Sequence, residues 1–194
     1  MQIAISLCAA PLSEFTKYFT KWTLIVTTFS IWYSIKSARD AEFKKSNHKM
    51  ALHNLLYTAS ILMNFVTMSV YWSLIHYNHI RNLKKQGENF RVIEQYLVHI
   101  IPGFSCMLSS YFTNCILTRK MLVPMLYFGV FYCFVNFLQT KVSGEPVYDF
   151  LSWRDFGSLL IVTFLLLVFS IFYLLGCKLD EYIKWDSFVA KNLR

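Results

Sequence analysis

A threonine hydroxyl becomes a nucleophile when a neighbouring base accepts its proton, and a neutral imidazole is a competent base near pH 7. Thr20 and His99 supply those two residue types within stretches built mainly of apolar and small side chains. An imidazole in such a stretch is costly unless it faces other helices or a wet cavity, so His99 stands out. Its plainer role is that of an interior histidine bonded to a backbone carbonyl. His76 and His79 have the one-turn spacing of two metal ligands, but no third ligand follows at a matching interval, and the pair reads as part of a wet loop. The five cysteines form no CxxC pair, and neither a glycine-rich phosphate loop nor a GxSxG or HExxH motif occurs. These patterns call for no metal and no cofactor.

Five uncharged runs must position these residues, with Thr20 just ahead of the first: 22–35, 50–80, 95–118, 121–140 and 156–177. A helix rising about 1.5 Å per residue needs roughly 20 residues to cross a hydrocarbon core about 30 Å thick. The last four runs reach that length unaided. The first reaches it if Lys17 and Lys21 lay their alkyl stems along the helix and lift their ammonium groups to the headgroups. Hydrophobic residues at 56% and a mean hydropathy of +0.41 agree. Trp22, Trp32, Trp72, Trp153 and Trp185 all fall near proposed span ends, where an amphipathic indole is favoured.

The predicted fold is therefore all-α: a polytopic transmembrane helix bundle forming a single membrane domain over 1–194, with spans at 15–35, 51–76, 95–117, 121–140 and 156–177 and a polar tail at 178–194. A sixth apolar segment, 1–12, is too short to cross and lacks the basic start of a secretory signal, so it reads as interfacial or re-entrant. The net charge of +8 sits in loops and tail on both sides, which points to membrane lipids and anionic headgroups as partners and away from nucleic acid. Of the 19 Lys and Arg, eleven fall on the side of the C-terminus and eight on the other, a slight bias toward a cytoplasmic C-terminus.

Thr20, Thr23, Thr27, Ser30 and Ser34 recur at steps of three and four, which places their hydroxyls on one helix face. His99, Pro102, Cys106, Ser109 and Thr113 repeat the pattern in the third span. Such stripes let helices approach closely in lipid, and packing is the plainer use of most of these residues. Counting crossings refines this, because the first and third spans both start on the N-terminal side. Thr20 and His99 are then expected at similar depth, with His76, Asn136, Gln139 and Tyr148 on the same side and Thr23 one turn deeper.

At these residues the chain resembles the androgen-induced gene family of multi-pass membrane proteins. Residues 17–23, Lys-Tyr-Phe-Thr-Lys-Trp-Thr, resemble the family's threonine motif at the start of a span. Val70-Tyr71-Trp72 resembles the aromatic end of the next span, and His99, just ahead of Pro102, falls where the family has its histidine. Residues 147–151 and 172–182 are similar to two further family stretches, so the likeness covers roughly 15–185. It implies a protein of the endomembrane system, the endoplasmic reticulum above all, and a threonine-dependent hydrolase of fatty acid esters of hydroxy fatty acids. Thr20 would be the nucleophile and His99 the base. The chain departs from the family pattern in its short N-terminal region and first loop, at Asp149 in place of a proline, and at Gln139 and Thr140 in place of a histidine pair. The alternative is a non-catalytic member serving as an interaction or scaffold module. A transporter or channel ranks below both, because the uncharged runs offer few ion-coordinating groups.

Overall fold

Apolar and hydroxyl residues repeating at helical spacing produce helices throughout. The computed structural model describes residues 17–113 and 115–184, and among them every regular element is helical. Helix α1 is Phe19–Arg39, α2 Ala41–Lys45 and α3 Asn47–Val70; a π-helical turn, Tyr71–Ile75, joins α3 to α4, His76–Lys85. Helix α5 is Asn89–Phe112, a short 3₁₀ turn covers Arg119–Met121, α6 is Leu122–Ser143 and α7 is Gly157–Ile183. The segment 1–12 and Trp185 lie outside the described residues.

Among the described residues, four helical stretches are long and apolar enough to cross a membrane: Asn47–Lys85, Asn89–Phe112, Arg119–Ser143 and Gly157–Ile183. The distribution of side chains suits lipid better than water. Buried positions of α1 are Thr23, Thr27, Ser30 and Ser37, whereas Ile25, Phe29, Trp32 and Ile35 are exposed. In α7 the exposed residues include Leu159, Leu160, Phe164, Leu167, Ile171 and Leu175. A soluble monomer rarely exposes contiguous apolar area beyond a few hundred Å². Helix α1 has 21 residues, about 30 Å at 1.5 Å each, but its hydroxyl face and Lys21 make it less apolar than the other four.

The chain forms two compact units, one from residues 17–22 and 116–184, the other from Thr23–Cys115. The second is organised by a polar seam between α1, α3 and α5. Thr23 and Thr67 hydroxyls are 3.0 Å apart, and Asn64 Nδ2 donates to Thr27 Oγ1 at 2.8 Å and to Cys106 Sγ at 3.2 Å. Ser60 Oγ donates to Ser30 Oγ at 3.1 Å, and Ser34 Oγ lies 3.0 Å from His53 Nε2. Helix α5 comes close to α3 at Gly103, where a Cβ would run into Met68 Sδ.

In the first unit, α7 anchors the connection ahead of α6. Asp180 Oδ2 accepts the Leu117 N–H at 2.8 Å, and Tyr173 Oη donates to the Thr118 carbonyl at 2.6 Å. Asp180 also pairs with Lys184 at 2.7 Å.

Most element ends shift by a few residues from the expected spans, and three of the differences have a plain physical reason. Helix α5 stops at Phe112 instead of 117, where Thr113 turns extended and β-branched residues at 113, 116 and 118 favour that geometry. Helix α7 runs to Ile183, into the segment read as polar tail, because the Asp180–Lys184 pair at i,i+4 is buried and holds its last turn. The second span continues through α4, whose Ile80 and Leu83 pack with Val92 and Tyr96 of α5.

Candidate functional site

The π turn sets the geometry around His99. At its end the His76 N–H bonds to the carbonyl of Tyr71, five residues back, and residues four and five apart then share a side. That arrangement brings Tyr71 and Trp72 together against His76, with ring centroids 5.3 Å and 4.2 Å from it. Tyr96 of α5 closes the group, 5.1 Å from His76 and 5.6 Å from Trp72. His99, one turn on from Tyr96, stacks on Tyr71 with centroids 3.5 Å apart and planes 10° from parallel.

His99 is 7% exposed and Tyr71 3%. Among the described residues, three buried polar atoms in this cluster have no hydrogen-bond partner: Tyr71 Oη, His76 Nδ1 and His99 Nδ1. A buried donor or acceptor left unmade costs about 1–3 kcal/mol, so three in one cluster form an uncommon concentration. The atoms can donate or accept a hydrogen bond and, at the imidazoles, take up a proton. No three His, Cys, Asp or Glu side chains among the described residues converge as metal ligands would.

The first unit holds the other expected residues. Thr20 lies half-buried in the first turn of α1, a turn held by two phenols. The Phe19 N–H donates to Tyr148 Oη at 3.0 Å, and Tyr132 Oη donates to the Lys17 carbonyl at 2.9 Å. The phenolic oxygens are 3.3 Å apart. Because the Tyr132 proton is already given to Lys17, Tyr148 is the donor between them. Tyr148 sits in the loop between α6 and α7, and burial pushes its phenol above the ordinary range, with the hydrogen bonds to Tyr132 and Phe19 opposing in part. It remains a protonated donor at neutral pH.

Asn136 is fully buried in α6, and its Oδ1 accepts from Trp153 Nε1 at 2.7 Å. Trp153 has a φ of 55°, a left-handed backbone that costs a bulky residue about 1–3 kcal/mol. It is held there by its N–H to Ser158 Oγ at 2.8 Å and by Lys141 Nζ on its carbonyl at 3.2 Å. Asn136 Nδ2 and Thr140 Oγ1, one turn apart, are buried without partners among the described residues. Gln139 is half-buried beside them in sequence.

Of the residues singled out from sequence, His99 and His76 meet around Tyr71, and Tyr148 reaches the turn that carries Thr20. Thr23 belongs to the polar seam through Thr67. Thr20 falls in the first unit and His99 in the second. Sequence reasoning did not single out Tyr132 or Asn64, and it met Trp153 only as an interfacial indole and Tyr71 only within an aromatic motif. The hydroxyl stripe of α1 signalled the seam from one side, and the polar Asn64 within an uncharged run was the signal available on the other. Comparison with protein-family models, with curated proteins and with solved structures finds no match to this chain.

Proposed function

We propose that this chain is a multi-pass endomembrane lipid-ester hydrolase in which Thr20 is the nucleophile and His99 the base. The observation that carries the reading is the buried Tyr71–His76–His99 cluster, whose three unpartnered polar atoms suit a proton acceptor and a hydrogen-bonding wall for a substrate carbonyl or hydroxyl. In the proposed cycle a His99 ring nitrogen takes the Thr20 proton as Oγ1 adds to the ester carbonyl. The tetrahedral adduct collapses, the ester C–O bond breaks, and the departing alcohol leaves with the proton from His99. Water then adds to the acyl-threonine with His99 again as base, releasing the acid and restoring Thr20. Fatty acid esters of hydroxy fatty acids fit this scheme, since both products and substrate already partition into the bilayer. Tyr148 contributes by fixing the turn before Thr20, and His76 packs on the Tyr71 ring that stacks on His99.

The same proposal makes α1 a fifth crossing, places the protein in the endoplasmic reticulum, and puts the C-terminus in the cytoplasm. A second reading, a non-catalytic interaction or scaffold module, draws support from the seam, where Thr23, Thr27, Ser30 and Ser34 are all engaged in packing α1 on α3. Labelling of the purified protein by a fluorophosphonate probe separates the two. The hydrolase reading requires labelling that disappears in Thr20→Ala; labelling that persists unchanged there moves the nucleophile elsewhere, and none in the parent favours the scaffold.

A further inference from the structure

A groove of about 590 Å³ lies along α4, lined among the described residues by Tyr77, Ile80, Arg81, Lys84 and Lys85. Steps of three and four between 77, 80, 81, 84 and 85 bring these residues onto one broad strip. The helix is fixed in rotation, because Ile80 and Leu83 pack on Val92 and Tyr96. Tyr77, Arg81, Lys84 and Lys85 therefore keep facing outward, with the buried Ile80 at the edge of the strip. Arg81, Lys84 and Lys85 are exposed, and among the described residues none of them has an ion-pair partner. The acid in the following turn, Glu88, is taken by Arg91 at 3.1 Å. Lys84 and Lys85 also sit in the last turn of α4, where cations favour a helix C-terminus. Arg81 and Tyr77 lie outside that turn, and the helix end does not account for them.

Height along the rod identifies what such a groove would meet. Trp72 and Tyr77 are exposed aromatics of the kind that mark a membrane interface. Arg81 follows His76 by five residues, about 8 Å along the axis. A headgroup layer extends roughly 5–8 Å beyond each side of the hydrocarbon core. Three uncompensated cations beside the exposed Tyr77 ring match an amphiphile with a negative head.

We propose that this groove binds the headgroup of an anionic phospholipid, with Arg81, Lys84 and Lys85 on the phosphate and the exposed Tyr77 ring against the glycerol and upper acyl chain. The planar guanidinium of Arg81 engages two phosphate oxygens, and the lysines act as point charges. Phosphatidylcholine carries a phosphate too, but its own cation cancels the charge that the groove selects. The site uses neither Thr20 nor His99, so it stands apart from the hydrolase reading.

Native mass spectrometry tests it, using the full chain in non-ionic detergent micelles doped with equal phosphatidylglycerol and phosphatidylcholine. Retention of phosphatidylglycerol over phosphatidylcholine is expected, weakening as salt is raised. Each cation near an anionic surface contributes about fivefold, so R81Q/K84Q/K85Q should lower the preference by up to about a hundredfold. R39Q/K44Q/K49Q, three exposed cations at the far end of the rod or on its neighbours, should leave it unchanged. The proposal is overturned if the first triple variant keeps the parent's preference, if the second loses it equally, or if salt has no effect. Full displacement of the lipid by equimolar glycerol 3-phosphate would also overturn it, since the site would then take a free phosphate.

Discussion

At the residue scale, Tyr148 and Trp153 show how much of the first unit depends on single side chains. Tyr148 accepts from the Phe19 backbone and donates to Tyr132, and burial raises its pKa. A group whose folded pKa lies above its unfolded value stabilises the fold below the unfolded value, about 10 for tyrosine, and loses that contribution as pH climbs past it. Melting of detergent-solubilised protein should therefore fall on going above pH 10, and fall less steeply in Tyr148→Phe. Parallel pH curves for the two proteins would mean that the phenol is not held as described. Trp153 is bound through its indole to a fully buried Asn136. Trp153→Phe would keep the ring but orphan Asn136 Oδ1, at a cost of about 1–3 kcal/mol. A variant as stable as the parent in a thermal melt would remove Trp153 from the account of that loop.

At the element scale, the faces of α1 and α5 were legible and the ends of the helices were not. Thr23, Thr27 and Ser30 are buried as their spacing implied, and so are His99, Pro102 and Cys106 of the third span. Hydroxyl periodicity carries that information because a small polar side chain has only neighbouring helices to bond with in lipid. Charge content, used to place the ends, fails where a charge is paired: Asp180 stays inside α7 because Lys184, just past the helix end, neutralises it at 2.7 Å. The π turn was equally hidden, since one added residue breaks the 3.6-residue period without leaving a compositional mark. Tyr71 consequently carried no sign that it stacks on His99. Asn64, at the junction of three hydrogen bonds, gives a direct test of the seam. Asn64→Leu should lower stability by about 1–2 kcal/mol, given typical values near 0.6 per interhelical bond in membranes. Ser109→Leu, on the same small-residue face of α5, should also disturb packing, whereas Leu166→Ile in α7 should be nearly silent. Equal loss of folded protein in Ser109→Leu and Leu166→Ile, read by size-exclusion chromatography, would show the face assignments to be wrong.

At the scale of the whole molecule, both units bury polar side chains beside their apolar core while large apolar side chains are exposed along the long helices, an arrangement that suits a bilayer. Within that frame a buried histidine with an unpartnered nitrogen is either a reactive group or a packing defect tolerated for stability elsewhere, and the two make opposite demands on substitution. His99→Asn keeps a polar group able to hydrogen-bond but unable to accept a proton usefully near pH 7, whereas His99→Ala removes both. The most direct measurement is hydrolysis of a fatty acid ester of a hydroxy fatty acid by the purified parent, His99→Asn and His99→Ala, each with its melting temperature in the same detergent. The account predicts an active parent, two folded variants, and a loss of hydrolysis in both on the order of 10²–10⁴, the range for a general base. An active His99→Asn protein, or a parent without hydrolysis, would contradict it.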